Sequence, residues 1–226
     1  MGRFYSLQHL VYWEVKLPRL AQGLAFVLLA LAAVSGPWSG SVRAADQSVQ
    51  DMLADRFLGK PDAPVTIIEY ASLGCPHCRA FHTDTLPEVK KNYVETGKVR
   101  FIFRDFPLGD RALAASMIAR CAGPVRYFAL LELFFRDQAE WMRAPDGLGA
   151  LKATAKKAGV SAAQVDACIR NEDLKQGLRR IAHEASQKQG INSTPSFVIE
   201  GEKVEGALGY KAFAEQIERA LKAKAK

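Results

Sequence analysis

The feature that most restricts the fold is a strand, a helix and a second strand in immediate succession. The stretch "DAPVTIIEYAS" is a continuous apolar run rich in β-branched residues, bounded by Pro64 and Gly74, and reads as a short strand buried on both faces. Pro76 suits the first position of a helix, where its missing N–H would be unpaired anyway. Helical spacing then continues through "HCRAFHTDTLPEVKKNYVETG" to Gly97, with Pro87 expected to kink or split that helix. In "KVRFIFRDFPL" Val99, Phe101 and Phe103 alternate with Arg100, Ile102 and Arg104 until Pro107 stops the strand. Two strands joined by a crossover helix lie parallel and right-handed in one sheet. The chain is thereby committed to an α/β fold with its chemistry at the carboxyl end of the first strand.

That end carries Cys75-Pro76-His77-Cys78. The thiolate is the reactive form of cysteine, and a helix start offers unpaired N–H groups and the positive end of the helix dipole, both of which lower a thiol pKa. Cys75 is therefore the expected nucleophile. Cys78, one turn further in, is placed to attack a mixed disulfide at Cys75 and release the partner. Pro76 restricts the turn, and a protonated His77 adds positive charge beside the Cys75 thiolate. A metal reading stands beside the redox one, because Cys75, Cys78 and His82 fall at i, i+3 and i+7 on one helical face. No second Cys-x-x-Cys or His pair supplies a fourth ligand, so no metal is expected, and His82 and His183 are read as ordinary polar or core residues on helices.

From Arg111 to Gln189 the pattern turns helical, in alanine- and leucine-rich blocks separated by Gly-Pro, Pro-Asp-Gly, Gly and Asn. Strands return in "PSFVIEG" and "KVEGA", close enough to form a hairpin around Gly201, and "YKAFAEQIERALKAKA" closes the chain as an amphipathic helix.

Residues 1–44 read differently. Arg3, Lys16 and Arg19 precede the apolar run Leu20 to Val34, which ends at Gly36 and Pro37, and Val42 to Ala44 place small residues where a signal peptidase reads. The run is shorter than the about 20 residues a membrane span needs. Cleavage is expected after Ala44, with an uncleaved N-terminal anchor as the alternative; either way the body is exported. Loss of four basic residues and one acidic residue lowers the formal charge from +7 to +4. That is too mild, and too little clustered, to argue for nucleic acid. All four cysteines lie in the exported part, where disulfides persist. Spacing favours Cys75 with Cys78, leaving Cys121 with Cys168, a bridge closing a loop of about 48 residues and worth up to roughly 4 kcal/mol.

The order of elements, with "LGKPDAPVTIIEYASLGCPHC", "FIFRDFPL" and "GINSTPSFVIEG" at its three most specific points, resembles the DsbA family of thioredoxin-fold thiol:disulfide oxidoreductases. The resemblance covers nearly all of residues 55–222. It implies a thioredoxin-like fold, a central mixed sheet flanked by helices, with an inserted all-helical subdomain. The expected division is 1–44 signal peptide, 45–107 first part of the thioredoxin-like domain, 108–189 helical insertion and 190–226 second part. It also implies a cis-proline at Pro195 beside the cysteines, with Thr194 offering its backbone to a substrate chain as an added strand. Glu69, two residues along from Ile67 and six before Cys75, takes the place of a buried acid able to relay a proton to Cys78. The family often has aromatic residues just before the motif, whereas Leu73-Gly74 stand here.

The expected function is oxidative folding in the periplasm. The Cys75–Cys78 disulfide would pass to exported proteins with free thiols, without a cofactor, and a quinone-linked membrane oxidase of the DsbB type would restore it. The rivals are an isomerase or reductase of the same fold and a metal carrier using Cys75, Cys78 and His82. Only Ala45 to Arg56 precede the family-like segment, too few residues for an added dimerisation domain, so a monomer is expected.

Overall fold

A computed structural model describes residues 47–225. The signal-peptide reading of 1–44 lies outside the described residues. Among the described residues five strands form one sheet in the order β1-β3-β2-β4-β5. These are β1 (Arg56–Leu58), β2 (Val65–Ala71), β3 (Val99–Asp105), β4 (Ser196–Ile199) and β5 (Glu202–Glu205). β2 and β3 are parallel, with Val65 opposite Val99 and Ala71 opposite Asp105, and the other pairs are antiparallel. The β-α-β unit and the terminal hairpin follow the sequence pattern. Two elements do not: α1 (Val49–Leu53) and β1 are too short to display a period, and Phe57, the centre of β1, is exposed.

The crossover begins as α2 (Pro76–Ala80), widens to π winding over Phe81–Thr85, tightens in α3 (Leu86–Val89) and widens again over Lys90–Val94. Pro87 neither ends this helix nor leaves it regular. Its ring excludes the carbonyl four residues earlier and it has no N–H to give, so the ladder shifts to wider turns around it.

Side-chain parity divides the sheet. Val65, Ile67, Val99 and Phe101 point to the face covered by the crossover helix and by α10 (Tyr210–Lys224), where they pack on Phe81, Leu86, Phe213 and Ile217. Ile68 and Tyr70 point to the other face, against Ala185 and Ile191, at and beyond the end of α9 (Glu172–Gln189). Gly190, at φ 63°, caps α9 in the left-handed region and turns the chain back toward β4.

The insertion comprises α4 (Asp110–Cys121), α5 (Pro124–Arg136), α6 (Gln138–Arg143), α7 (Gly147–Lys157) and α8 (Ala162–Ile169), followed by α9. Its core is continuous with the carboxyl end of the sheet, because Ala71, Leu73, Cys75, Cys78 and Phe103 pack among Leu130, Phe134, Phe135 and Trp141. Cys121 and Cys168 are bonded and tie α4 to α8.

Arg120 on α4, 1% exposed, joins the two parts. It donates to Asp105 Oδ2 at 2.7 Å, to the carbonyls of Ala54 at 2.6 Å, Met52 at 3.3 Å and Phe103 at 3.4 Å, and lies 4.8 Å from the Tyr127 ring centroid. Replacing Arg120 with Met strands the Asp105 carboxylate in the interior and should cost about 3–5 kcal/mol in urea unfolding. A loss under about 1 kcal/mol would mean that the pair does not hold the subdomain. The double substitution Cys121→Ala, Cys168→Ala should cost up to about 4 kcal/mol in the same assay.

Candidate active site

The turn from β2 into α2 is built by Ser72, fully buried at the strand end. Its carbonyl accepts the Cys75 N–H at 3.0 Å, and its hydroxyl accepts the N–H groups of Gly74 at 3.2 Å and Leu108 at 3.1 Å. From α6 of the insertion, Gln138 Nε2 donates to the carbonyls of Leu73 at 2.7 Å and Cys75 at 3.0 Å. The loop carrying Cys75 is thus held from both sides. Neither Ser72 nor Gln138 is recognisable from sequence, because each acts on backbone groups and no side-chain pattern betrays it. Leu73 is fully buried, so the residue standing where the resembled family has aromatics is part of the core rather than of the surface around Cys75.

Cys75 is the N-cap of α2, in extended backbone at φ −83°, with Pro76 first in the helix. Pro76 and His77 are exposed. Cys75 is 7% exposed and Cys78 fully buried, and both are free thiols, the reduced form of the pair expected to carry a redox disulfide. The Thr194–Pro195 bond is cis, and its loop sits against the nucleophile: as a thiol, Cys75 Sγ donates to the Thr194 carbonyl at 3.3 Å.

Ionised, the Cys75 sulfur becomes an acceptor. The Cys78 S–H is its strongest partner, burial opposes the charge, and the Thr194 hydroxyl and the backbone N–H groups of Cys78 and His77 add to the stabilisation. The net effect holds Cys75 down to about 5. Among the described residues the buried Thr194 hydroxyl has no other partner, which leaves it free to turn toward a thiolate. Cys78 moves the opposite way. Burial pushes its thiol far up, and the hydrogen bond it gives to Cys75 and the nearby charge of Glu69 push it further. The pair is polarised into one thiolate and one thiol.

Glu69 is fully buried and faces the crossover helix, on the same side of β2 as Val65 and Ile67. Its Oε2 lies 2.8 Å from His82 Nε2. His82 is therefore not the ordinary helix residue expected from sequence. Its Nε2 is taken up by Glu69, and among the described residues no group of three His, Cys, Asp or Glu side chains is gathered to hold a metal ion. His183 is exposed on α9. Among the described residues no helix is long and apolar enough to cross a membrane.

The family model described as Thioredoxin matches residues 51–219. A relative from Rickettsia bellii is 28% identical over 152 residues, 67% of this chain; the chain spans 59% of that relative's length, little more than half. Disulfide bond formation protein D of Bacillus subtilis is 29% identical over 184 residues, 74% of this chain and 77% of that protein. The crystal structure of Wolbachia pipientis alpha-DsbA1 superposes with a TM-score of 0.71 at 30% identity, covering 76% of this chain and 92% of that one.

Thiolate absorbance of the reduced protein should titrate near pH 5 through Cys75 alone, and a midpoint near 8.5 would contradict the polarised pair. The depressed value also sets a sign for stability. Relative to the oxidised form, the reduced form should gain stability as pH rises from about 5 toward the ordinary thiol value, and lose it as pH falls through about 5. Urea unfolding of both forms at acid and neutral pH checks this.

Proposed function

The chain belongs to the thioredoxin family and, within it, to the DsbA-type proteins, and from that premise we propose that it is a thiol:disulfide oxidoreductase passing the Cys75–Cys78 disulfide to exported proteins. The observation that carries this reading is the polarisation of the two cysteines. A sulfur that is stable as a thiolate is a good leaving group, and stabilising the thiolate stabilises the reduced form, so the disulfide form is an oxidant.

In the first step a substrate thiolate attacks Cys75 Sγ, the bond to Cys78 breaks, and Cys78 leaves as a thiolate that must take up a proton. A second substrate thiolate then attacks the substrate sulfur of the mixed disulfide, and Cys75 leaves as a stable thiolate. The substrate gains a disulfide and the protein ends as the dithiol. Thr194 and Pro195 lie where the substrate segment would pass, with the Thr194 backbone available to pair with it as an added strand. His77 and Pro76 flank the sulfur at the mouth of the site.

The compartment that fits is the periplasm, reached by way of the N-terminal signal and with cleavage after Ala44. A membrane oxidase of the quinone-linked DsbB type suits the return of electrons from the dithiol. The domain division at residues 107 and 189 and the structural role of Cys121–Cys168 belong to the same proposal, as does action as a monomer. The name of the Bacillus subtilis relative, disulfide bond formation, accords with net oxidation rather than reshuffling.

The test uses reduced and scrambled ribonuclease side by side. The oxidised protein should reactivate reduced ribonuclease together with an oxidant and unscramble the mispaired form poorly. Cys75→Ser should abolish activity, and Cys78→Ser should trap substrate as mixed disulfides. Strong unscrambling by a stable dimer would reverse the assignment to an isomerase.

A further inference from the structure

The loop that carries Thr194 and Pro195 has two ends, and Tyr70 meets both. Where the loop finishes, β4 begins with Ser196, which stands opposite Tyr70 across the antiparallel pair of β2 and β4. Where it starts, Gln189 closes α9, and the Tyr70 hydroxyl donates to Gln189 Oε1 at 2.7 Å. Tyr70 also belongs to the strand that runs into the Cys75 turn. One residue thus ties the strand of the nucleophile to both ends of the loop that lies against it. Ser196 carries the hold inward, because its Oγ donates to the carbonyl of Ser193, the residue before Thr194, at 2.8 Å.

The direction of the bond to Gln189 is set from behind. Arg104 on β3 donates from Nη1 to the Tyr70 oxygen at 2.8 Å, so the single hydroxyl proton is left for Gln189. Arg104 is itself held by Asp55, whose carboxylate accepts from Nε at 2.9 Å and from Nη2 at 2.7 Å. Tyr70 is 1% exposed, so loss of the Gln189 oxygen would leave its proton without an acceptor in a site nearly closed to water. Packing fixes this end of α9 only in part. Ala185 and Ile191 cluster with Tyr70, but a cavity of about 300 Å³ lies beside them, bounded by Tyr70, Arg104, Lys188 and Gln189. The hydrogen bond supplies the restraint that contact with a cavity wall cannot.

We propose that Tyr70 is a positioning residue for the exchange reaction: through Gln189 and Ser196 it fixes the Gly190–Pro195 loop against Cys75, and so places the Thr194 groups that meet the nucleophile and the substrate chain. The inference rests on the exchange reading above. Thr194 offers Cys75 two groups, a carbonyl that accepts from the thiol at 3.3 Å and a buried hydroxyl that can turn to the thiolate. Hydrogen bonds weaken steeply once distance and angle loosen. A loop released at Gln189 therefore gives up part of its hold on the thiolate, although no group that touches the sulfur has been changed. The strand edge that Thr194 presents to a substrate loosens with it.

Tyr70→Phe keeps the ring and removes only the hydroxyl, and Gln189→Ala removes the acceptor at an exposed helix end, where the fold tolerates it. In the reduced full-length protein, either change should speed amide hydrogen exchange over residues 190–194 by about threefold or more. Either should also raise the thiolate midpoint of Cys75 from about 5 by about half a pH unit or more. Both changes break one bond, so the double variant should shift the midpoint no further than the larger single effect. In a Thr194→Val background, which lacks the hydroxyl, Tyr70→Phe should leave the midpoint where it is. A Tyr70 that only stabilises the fold would lower the urea midpoint and leave the Cys75 titration untouched. An unshifted titration in Gln189→Ala, or in folded Tyr70→Phe, overturns the proposal, as does a shift that persists undiminished beside Thr194→Val. Wild-type protein that fails to oxidise reduced ribonuclease would overturn the exchange reading instead; the titration and the amide exchange need no substrate and report on Tyr70 separately.

Discussion

A single buried guanidinium makes the sheet and the helical insertion one body. Arg120 comes from α4, and everything it binds comes from elsewhere: the carboxylate that ends β3, the carbonyls of Met52 in α1 and Ala54 just after it, the carbonyl of Phe103 and the face of Tyr127 on α5. Five donors in a fixed fork are nearly all used, which is what makes a charge tolerable at that depth. Because Asp105 stands opposite Ala71 across the parallel pair, the junction lies at the end of the sheet from which Cys75 and Cys78 project. The insertion is therefore fixed against the reactive end of the fold, and Gln138 can reach the backbone on either side of Gly74.

From that placement follows the difference between two cysteines three residues apart. Cys75, in extended backbone ahead of the helix, keeps an opening and collects donors from Cys78, Thr194 and the first N–H groups of the helix. Cys78, one turn inward, is enclosed by the insertion's core and by the crossover's own packing. The contrast in solvation is as important as the contrast in hydrogen bonding. A thiolate at Cys78 would pay the cost of charge in an apolar surrounding with the negative Glu69 beside it, so ionisation is directed to Cys75.

Much of this was legible in the sequence, and the rest was hidden for physical reasons. The parallel pair was visible because a β-branched run, a Pro-initiated helix and an alternating strand each carry their own period. The edge strand Arg56–Leu58 and the helix Val49–Leu53 are shorter than a period can be, and they are held by tertiary contacts, the strand with β3 and the helix with α4 and α9. Cys75 and Cys78 stand out as a motif, Thr194 and Pro195 only through the family resemblance, and the fold brings Cys75 against Thr194 from distant parts of the chain. Glu69 was named too, but its partner was not. His82 reads as one polar residue on a helix, and only the register of β2 beneath that helix brings its ring onto the carboxylate. Ser72 and Gln138 escaped because they hold main-chain groups, an interaction that any Ser or Gln can make and none announces.

A groove beside His82 gives the insertion a second consequence. Half of the walls around His82 are supplied by α5, among them Phe128, Leu131, Phe135 and Arg136. A thioredoxin-like sheet and its crossover helix would leave His82 open to bulk water on that side. With α5 in place the imidazole is nearly enclosed, stacked on Phe135, and still in reach of water along one groove. The same helix thus both dries the surroundings of Cys78 and stacks on the ring that pairs with Glu69.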